Sequence, residues 1–353
     1  GSFAACMPLP VAPRVPPSSA VGGARAAPLT RDVVDAYLRR LALSRRVVEP
    51  PCLAALKALV AAHVENVPWE NIDLILGRPP PTLDGRRSAE RLAGSSRGGL
   101  CFELADAFCA LLLSLGFAVS VHPAACVQEP TPERWGEHAA TVVALPSAQG
   151  GAPTLWLADV GLGDGARSPI CLDQARTWEE DGYLFALEPL DDQSAPSAGG
   201  GGGGSRRWRW RHDARAGLLE GLCLDLSLSA TSSCQPLASF VPRLEHFWTS
   251  PESAYMRGGI AIHRKSPEGL LTLRGCTLRR RHPSMAGGSE VVASAWTREE
   301  WFALLQQHFS LNLEDELTTV EQELLWDRVL HDSMAFLTRM SAPVVAAASS
   351  RAS

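Results

Sequence analysis

Apolar residues recur at helical spacing through the first third of the chain, which predicts a group of helices. The first stripe, after a candidate cap at Thr30, consists of Val33, Val34, Tyr37, Leu38 and Leu41. A proline pair that begins at Pro50 interrupts it. A second helix is predicted over residues 52–65, ending before Pro68, and a short helical turn is predicted over 89–92.

A further predicted helix is buried along a broad side and follows two glycines. Gly98 and Gly99 permit a tight or left-handed backbone. The stripe that comes after them consists of Leu104, Phe108, Leu111, Leu112 and Leu115. Gly116 is expected to end this helix. Cys101 therefore lies in the first turn of a buried helix, directly after a glycine hinge.

The apolar pattern changes to a period of about two from Phe117 onward, which predicts strands. Short apolar or β-branched runs bounded by Gly and Pro occupy residues 118–122, 138–145 and 155–160. The segment Arg207-Trp-Arg-Trp-Arg-His alternates with the same period. We interpret it as a solvent-exposed strand in preference to a surface that stacks on nucleotides.

The last third of the chain mixes both patterns. Strands are predicted over 260–263 and 270–273. A capping box that begins at Thr297 opens a helix to about His308, and a further amphipathic helix is predicted over 319–339.

Composition narrows the classes of protein that fit this pattern. The chain has 353 residues, 46% of them hydrophobic, with a formal charge of −5, enough for two or three packed subdomains. The mild charge argues against a nucleic-acid-binding protein, and no apolar run reaches the roughly 18 residues of a membrane span. Residues 1–29 are predicted to form a flexible leader, with a truncated targeting peptide as the alternative.

The cysteines indicate a reducing compartment. There are nine, without a CxxC pair and without a Cys/His cluster at zinc spacing. We therefore expect buried thiols, no metal, no membrane or nucleic-acid partner, and a cytoplasmic location.

Cys101 is the candidate nucleophile, because two features can stabilise its thiolate. A thiol is nucleophilic only when ionised, and a helix N-terminus presents unpaired N–H dipoles to the sulfur. A neighbouring imidazole can take the proton and remain as the charged partner.

A hairpin places a histidine and an aspartate together. If 138–145 pairs with 155–160, the residue numbers of two opposed positions have a roughly constant sum. The sum is 297 for His138 with Asp159 and 298 for Leu145 with Pro153. Asp159 is thus predicted to lie opposite His138, where it can fix the tautomer and stabilise the imidazolium. Taken singly, each residue has a structural explanation: a core cysteine, a structural histidine or a turn aspartate.

Three ordered motifs resemble those of the arylamine N-acetyltransferase family, which are approximately (V/I)PFEN, RGGxCxE and DVGFG. They are Val67-Pro-Trp-Glu-Asn, then Arg97-Gly-Gly-Leu-Cys-Phe-Glu, then Asp159-Val-Gly-Leu-Gly. The similarity spans about 37–313 and weakens toward the end, where Thr249-Ser-Pro-Glu-Ser is similar to a tSPxSxF segment. The resemblance implies that Cys101, His138 and Asp159 form the family's Cys–His–Asp catalytic triad.

The resemblance also implies an α+β fold of three subdomains. These are a helical bundle over 30–116 that carries the nucleophile, a β-barrel over 117–245 and an α/β lid over 246–340. A Gly-rich segment near 194–205 is predicted to be a flexible insertion, and 341–353 a flexible tail.

The chemistry implied by the resemblance is ping-pong acyl transfer. Acetyl-CoA, or another short acyl-CoA such as propionyl- or malonyl-CoA, is the expected co-substrate and acylates Cys101, after which CoA leaves. An arylamine, arylhydrazine or N-hydroxyarylamine then attacks the thioester, while His138 relays protons. Aromatic amines suit this step because they stay unprotonated near pH 7.

Three alternatives stay open at this point. The same fold can serve an amide synthase, in which a carrier-bound acyl chain is released onto an aromatic amine. A thioester hydrolase or transglutaminase-like enzyme can use the same triad, because the triad does not choose the acceptor. A non-catalytic binding protein is the third.

Departures from the family pattern concern the acceptor pocket. Trp69 and Leu162 stand where the family usually has Phe. The predicted substrate-binding residues are Trp69, Phe102, Val127, Leu162 and Gly163. The residues expected to support the site structurally are Glu70, Arg97, Gly98 and Gly99, with a buried ion pair between Glu70 and Arg97.

Overall fold

The structure is a computed structural model that describes residues 28–147, 151–190, 207–215, 217–219, 221–226, 237–250, 253 and 259–341. The predicted Gly-rich insertion near 194–205 lies outside the described residues. Residues 1–27 of the predicted leader and 342–353 of the predicted tail also lie outside them.

The first part of the chain folds into helices, as predicted. They are α1 (Arg31–Arg40), α2 (Arg45–Val48), α3 (Leu53–Asn66), α4 (Ile72–Ile75), α5 (Gly85–Gly94) and α6 (Cys101–Ser114). Thr30 caps α1 by accepting a hydrogen bond from the N–H of Val33, as its position in the sequence predicts. The helical turn predicted over 89–92 is too short, because Asp84 accepts from Arg86 N–H and Arg87 N–H and so starts α5 earlier.

Helix α6 is the centre of the largest core. It begins at Cys101, as predicted, and Gly116, two residues after its last residue, has a φ of 86°. Phe102, Leu104 and Phe108 on this helix are fully buried. Because the helix is apolar on nearly every side, it lies inside the protein instead of at its surface.

The middle of the chain forms an antiparallel sheet. Its strands are β2 (Ala118–Ala125), β3 (His138–Leu145), β4 (Thr154–Leu157), β5 (Ile170–Cys171), β6 (Arg176–Glu180), β7 (Tyr183–Pro189), β8 (Arg207–Arg211) and β9 (Gly221–Asp225). The order β5-β4-β3-β2-β9-β8-β7-β6 is open, so within the described residues hydrogen bonds do not close the expected barrel. Ala139 and Val143 of β3 face the helical core, whereas Ala140 and Val142 face the core of this sheet.

Two predictions for this sheet need correction. In the β3–β4 hairpin Val142 pairs with Leu157, which gives a constant of 299 instead of 297 or 298, and β4 ends before the predicted Val160. The strand Arg207–Arg211 is solvent-exposed on its arginine face only, because Trp208 and Trp210 on the other face are buried. Its neighbours β7 and β9 place it inside the sheet, and alternation alone could not show which face packs.

The last part of the chain forms a second sheet covered by helices. Its strands are β10 (Ala261–Ser266), β11 (Gly269–Arg274), β12 (Thr277–Arg281) and β13 (Ser289–Ser294). The helices that pack on it are α8 (Arg298–Phe309), α9 (Leu313–Glu316) and α10 (Thr319–Ser341). The helix before them, α7 (Val241–Thr249), packs on the core around α6. Thr297 and Glu300 form the predicted capping box of α8.

This second sheet is not built from the C-terminal third alone. The short strand β1 (Trp69–Glu70) pairs with β10, so a piece of the first third completes its edge. This edge strand brings one of the predicted motifs into contact with the second sheet. Within the described residues, no helix is both long and apolar enough to cross a bilayer.

Candidate active site

Cys101 begins α6 and is 7% exposed. The turn before it is held by a side chain of the same helix, because the Leu100 N–H donates to Glu103 Oε2 at 3.0 Å. Gly98 is required by close packing, since a Cβ there would lie 1.7 Å from the carbonyl oxygen of Pro68. The glycine hinge therefore lets the chain pass close to β1 and present the thiol at the helix N-terminus, where unpaired N–H groups favour negative charge.

His138 and Asp159 lie together as predicted. His138 Nε2 is 2.6 Å from Asp159 Oδ2, and both side chains are almost fully buried. The Gly161 N–H donates to the other carboxylate oxygen at 2.8 Å. The observed pairing is shifted by two residues from the predicted sum of 297. Because side chains alternate with a period of two, this shift leaves His138 and Asp159 on the same side of the hairpin.

The charge of His138 depends on this carboxylate. Burial by itself lowers the pKa of a histidine, but the negative charge and hydrogen bond of Asp159, together with a hydrogen bond to Cys101, raise the pKa of His138 to about 10. The imidazole is therefore protonated over the physiological range and faces the Cys101 thiol as a cation.

Gly161 contacts all three residues, and the sequence analysis did not identify it. A Cβ at this position would lie 3.0 Å from His138 Cε1 and 3.0 Å from the carbonyl oxygen of Cys101. The segment after Asp159 thus packs directly against both the cysteine and the histidine. Only the tertiary structure identifies this residue, because a glycine in DVGLG could serve simply as a turn.

Leu162 and Gly163 are the next residues of the same segment, and Gly163 lies against Trp69. A Cβ on Gly163, whose φ is 76°, would lie 2.9 Å from Trp69 Cβ. The Trp69 indole stacks on the ring of His263, with centroids 5.1 Å apart. His263 is a buried residue that the sequence analysis did not identify, and burial lowers its pKa to about 3, so its ring is neutral. Leu162 packs into the core of the eight-stranded sheet.

The other two predicted substrate-binding residues lie apart from this group. Phe102 is fully buried and packs against Phe240 and Phe247, at centroid distances of 5.6 and 5.9 Å. Val127 is half-buried in the turn after β2, next to Cys126. Burial raises the pKa of the Cys126 thiol, and the charge of Cys101 acts in the same direction, so this turn lies near the site.

The ion pair expected between Glu70 and Arg97 is present. Arg97 Nη2 is 2.9 Å from Glu70 Oε1, and the two side chains are 5% and 1% exposed. Asp73, which the sequence analysis did not identify, lies at the same 2.9 Å from Arg97. Burial would lower the pKa of Arg97, but the two carboxylates outweigh it and raise the pKa. The arginine stays charged, and it ties β1 to the segment before Cys101.

The described residues offer little to a metal ion. Among them, no group of three or more His, Cys, Asp or Glu side chains is arranged to hold one. The site itself offers a thiol, an imidazolium and a carboxylate, which can perform nucleophilic and acid–base chemistry.

Comparisons with known proteins show which family the chain resembles. The model of an N-acetyltransferase family matches residues 52–318. The arylamine N-acetyltransferase of Mycolicibacterium smegmatis is 35% identical over 143 residues, which are 39% of this chain and 49% of that protein. The chain thus spans about half the length of the curated relatives it matches.

Solved structures extend the likeness over most of the fold. The Nocardia farcinica arylamine N-acetyltransferase is 26% identical, with a TM-score of 0.66, and the match covers 84% of this chain and 95% of that one. The Mycobacterium marinum arylamine N-acetyltransferase in complex with CoA has a TM-score of 0.64 at 22% identity, covering 84% and 98%. Given the family match over residues 52–318 and the agreement of these relatives, the chain belongs to the arylamine N-acetyltransferase family.

Proposed function

We propose that the protein is an acyl-CoA-dependent N-acyltransferase that works through a thioester on Cys101. The observation that carries the proposal is the buried His138–Asp159 pair at 2.6 Å, with Gly161 packed against both His138 and a cysteine at a helix N-terminus. Membership of the arylamine N-acetyltransferase family supports the acyl donor and the acceptor class.

In the first half-reaction the Cys101 thiolate attacks the carbonyl carbon of the acyl-CoA thioester. The bond from that carbon to the CoA sulfur breaks, and the CoA thiolate takes a proton from the His138 imidazolium. The products are acylated Cys101, CoA and a neutral His138. First-turn N–H groups of α6 are placed to stabilise the oxyanion that forms on the carbonyl oxygen.

In the second half-reaction a neutral amine attacks the thioester on Cys101. The carbon–Sγ bond breaks, and the amine nitrogen gives its proton to His138, which becomes an imidazolium again beside the restored thiolate. Asp159 keeps Nε2 of the ring engaged throughout, so that the opposite side of the ring serves both proton transfers. The names of the relatives support an aromatic amine as acceptor.

CoA and the aromatic amine are the proposed partners, with acetyl-CoA as the first donor to test. A structural neighbour is described as a complex with CoA, which supports this donor class for the present chain. Trp69, its stacked neighbour His263 and Gly163 are proposed to line the acceptor side of the site.

The proposal can be tested by intact mass spectrometry after incubation with acetyl-, propionyl- or malonyl-CoA. We expect one acyl adduct on the wild-type protein, lost in Cys101→Ala and removed by adding an aromatic amine. Cys126→Ala is the matched control, because burial keeps this nearby thiol protonated, and it should retain the adduct. A folded protein without an adduct from any donor, or an adduct that persists in Cys101→Ala, would overturn the proposal. Loss of the adduct to water alone would favour a hydrolase.

A further inference from the structure

The segment that leads into Cys101 is held by residues that are remote in sequence. Ser96 uses all three of its polar groups in such contacts. Its N–H donates to Glu316 Oε1 at 2.6 Å, its hydroxyl accepts from the Asn312 N–H at 2.7 Å, and its carbonyl accepts from Arg40 Nη2 at 2.8 Å. Asn312 and Glu316 belong to α9 and its N-cap, and Arg40 belongs to α1.

Arg40 and Glu316 carry opposite charges and bind different backbone groups of this segment. Arg40 also donates to the carbonyl oxygens of Ser95, at 2.7 Å, and of Leu92. Glu316 lies close enough for its charge to act on the Arg40 guanidinium. The cation therefore donates hydrogen bonds to the carbonyl groups, and the anion accepts one from the N–H, so that both charged side chains hold the backbone.

Little slack remains between Ser96 and the thiol. The next residue, Arg97, is buried in its ion pairs with Glu70 and Asp73. The Gly98 carbonyl accepts from Arg91 Nη1 at 2.6 Å, and its Cα lies against Pro68. Only four residues separate Ser96 from Cys101, so the Glu316 contact lies one short, tightly held segment away from the first turn of α6.

We propose that Glu316 is a positioning residue that sets the first turn of α6, and with it the Cys101 sulfur, against His138. This rests on the proposed role of Cys101 as the nucleophile. The contact makes the C-terminal part of the chain, through α9, a structural partner of the nucleophile segment. Small displacements of a reacting group have large effects on rate, so a hydrogen bond outside the site is expected to change reactivity.

The test compares Glu316→Gln with Glu314→Gln. Both remove one negative charge from α9. The glutamine in Glu316→Gln keeps an oxygen that can accept from the Ser96 N–H, but the bond loses its charge assistance and Arg40 loses the anion beside it. Glu314 is exposed, and its side chain does not contact the segment before Cys101 in the described structure. The measurements are the rate of Cys101 alkylation by iodoacetamide between pH 5 and 9, kcat and KM with acetyl-CoA, and Tm. Ser96→Ala, which removes only the bond from Asn312, is a milder second variant.

We expect Glu316→Gln to lower the alkylation rate near pH 7 and kcat by about tenfold, with KM for acetyl-CoA unchanged. Its alkylation profile should move to higher pH, because the imidazolium no longer faces the sulfur as closely. Ser96→Ala should show a smaller change in the same direction, and Glu314→Gln should match the wild type.

A purely stabilising role predicts a different result. In that case Glu316→Gln would lower Tm, but below Tm its alkylation profile and kcat would equal those of Glu314→Gln, and the proposal would be overturned. Ser96→Ala with wild-type reactivity would also count against it if Glu316→Gln does not fold. Alkylation requires no CoA, so a wild-type protein that forms no acyl adduct would defeat the proposed function but leave this test intact.

Discussion

Replacing Asp159 by Asn tests the charge relation on which the proposed mechanism depends. The substitution keeps the size of the side chain and leaves an amide oxygen to accept from Gly161, but it removes the negative charge 2.6 Å from His138 Nε2. Without that charge, burial dominates and the histidine becomes neutral. A neutral imidazole no longer stabilises a thiolate on Cys101.

Two quantities set the size of the expected effect: the stabilisation of the His138 cation and the ionised fraction of a thiol that lacks it. The rise from 6.5 to about 10 corresponds to roughly 5 kcal/mol, at 1.36 kcal/mol per pH unit. An ordinary thiol with a pKa near 8.5 is ionised to roughly one part in three hundred at pH 6. Loss of the imidazolium should therefore lower the alkylation rate of Cys101 at pH 6 on the order of a hundredfold.

The assay is the second-order rate constant for alkylation by iodoacetamide as a function of pH. We expect the wild-type rate to change little between pH 6 and 9, while the Asp159→Asn rate rises with pH and approaches it near pH 9. Asp173→Asn removes an equal charge from an exposed position and should behave as wild type. Equal rates for Asp159→Asn and wild type at pH 6 would refute the reasoning.

The same pair links stability to pH. The pKa of His138 is higher in the folded state than the unfolded value of 6.5, so its contribution is complete below pH 6.5 and is lost as pH rises toward 10. Urea unfolding of the wild type should show this fall in the free energy of unfolding. Asp159→Asn should not, and a parallel pH dependence in both proteins would contradict the assignment.

Three further substitutions test the packing around Cys101. Gly161→Ala should lower kcat at least tenfold with little effect on Tm, because its Cβ would press on Cys101 and His138 at 3.0 Å. The control is Gly94→Ala, whose Cβ would have no atom within 4 Å and which should keep the wild-type kcat in the same steady-state assay. Glu103→Gln should become more stable relative to wild type between pH 4.5 and 7, by up to roughly 3 kcal/mol in urea unfolding, because burial raises the pKa of Glu103 to about 7; a pH-independent difference would exclude this. Arg97→Gln should lose about 3 kcal/mol of unfolding free energy, because it leaves the buried Glu70 carboxylate with only the more distant Arg91, at 3.9 Å, as a cation. A loss below about 1 kcal/mol would show that the ion pair is dispensable.

The sequence by itself determined the elements that depend on local patterns. The start of α6 at Cys101 follows from the glycines before an apolar stripe, and β3 begins at His138 and ends at Leu145 as predicted. The capping box at Thr297 is also a short-range signal and is present. In each case the residues that specify the element lie within a few positions of one another, so the signal can be read without knowledge of distant contacts.

Only the tertiary structure decided the pairings between distant segments. The hairpin register depends on the turn that joins β3 and β4, and it differs from the prediction by two residues. The alternation around Trp208 predicts a strand correctly, but the face that is buried depends on its neighbours β7 and β9. The hydrogen bond from Ser96 to Glu316 joins residues 220 positions apart. Such contacts exist only after the chain has folded, because neither side chain carries a local signal for its partner.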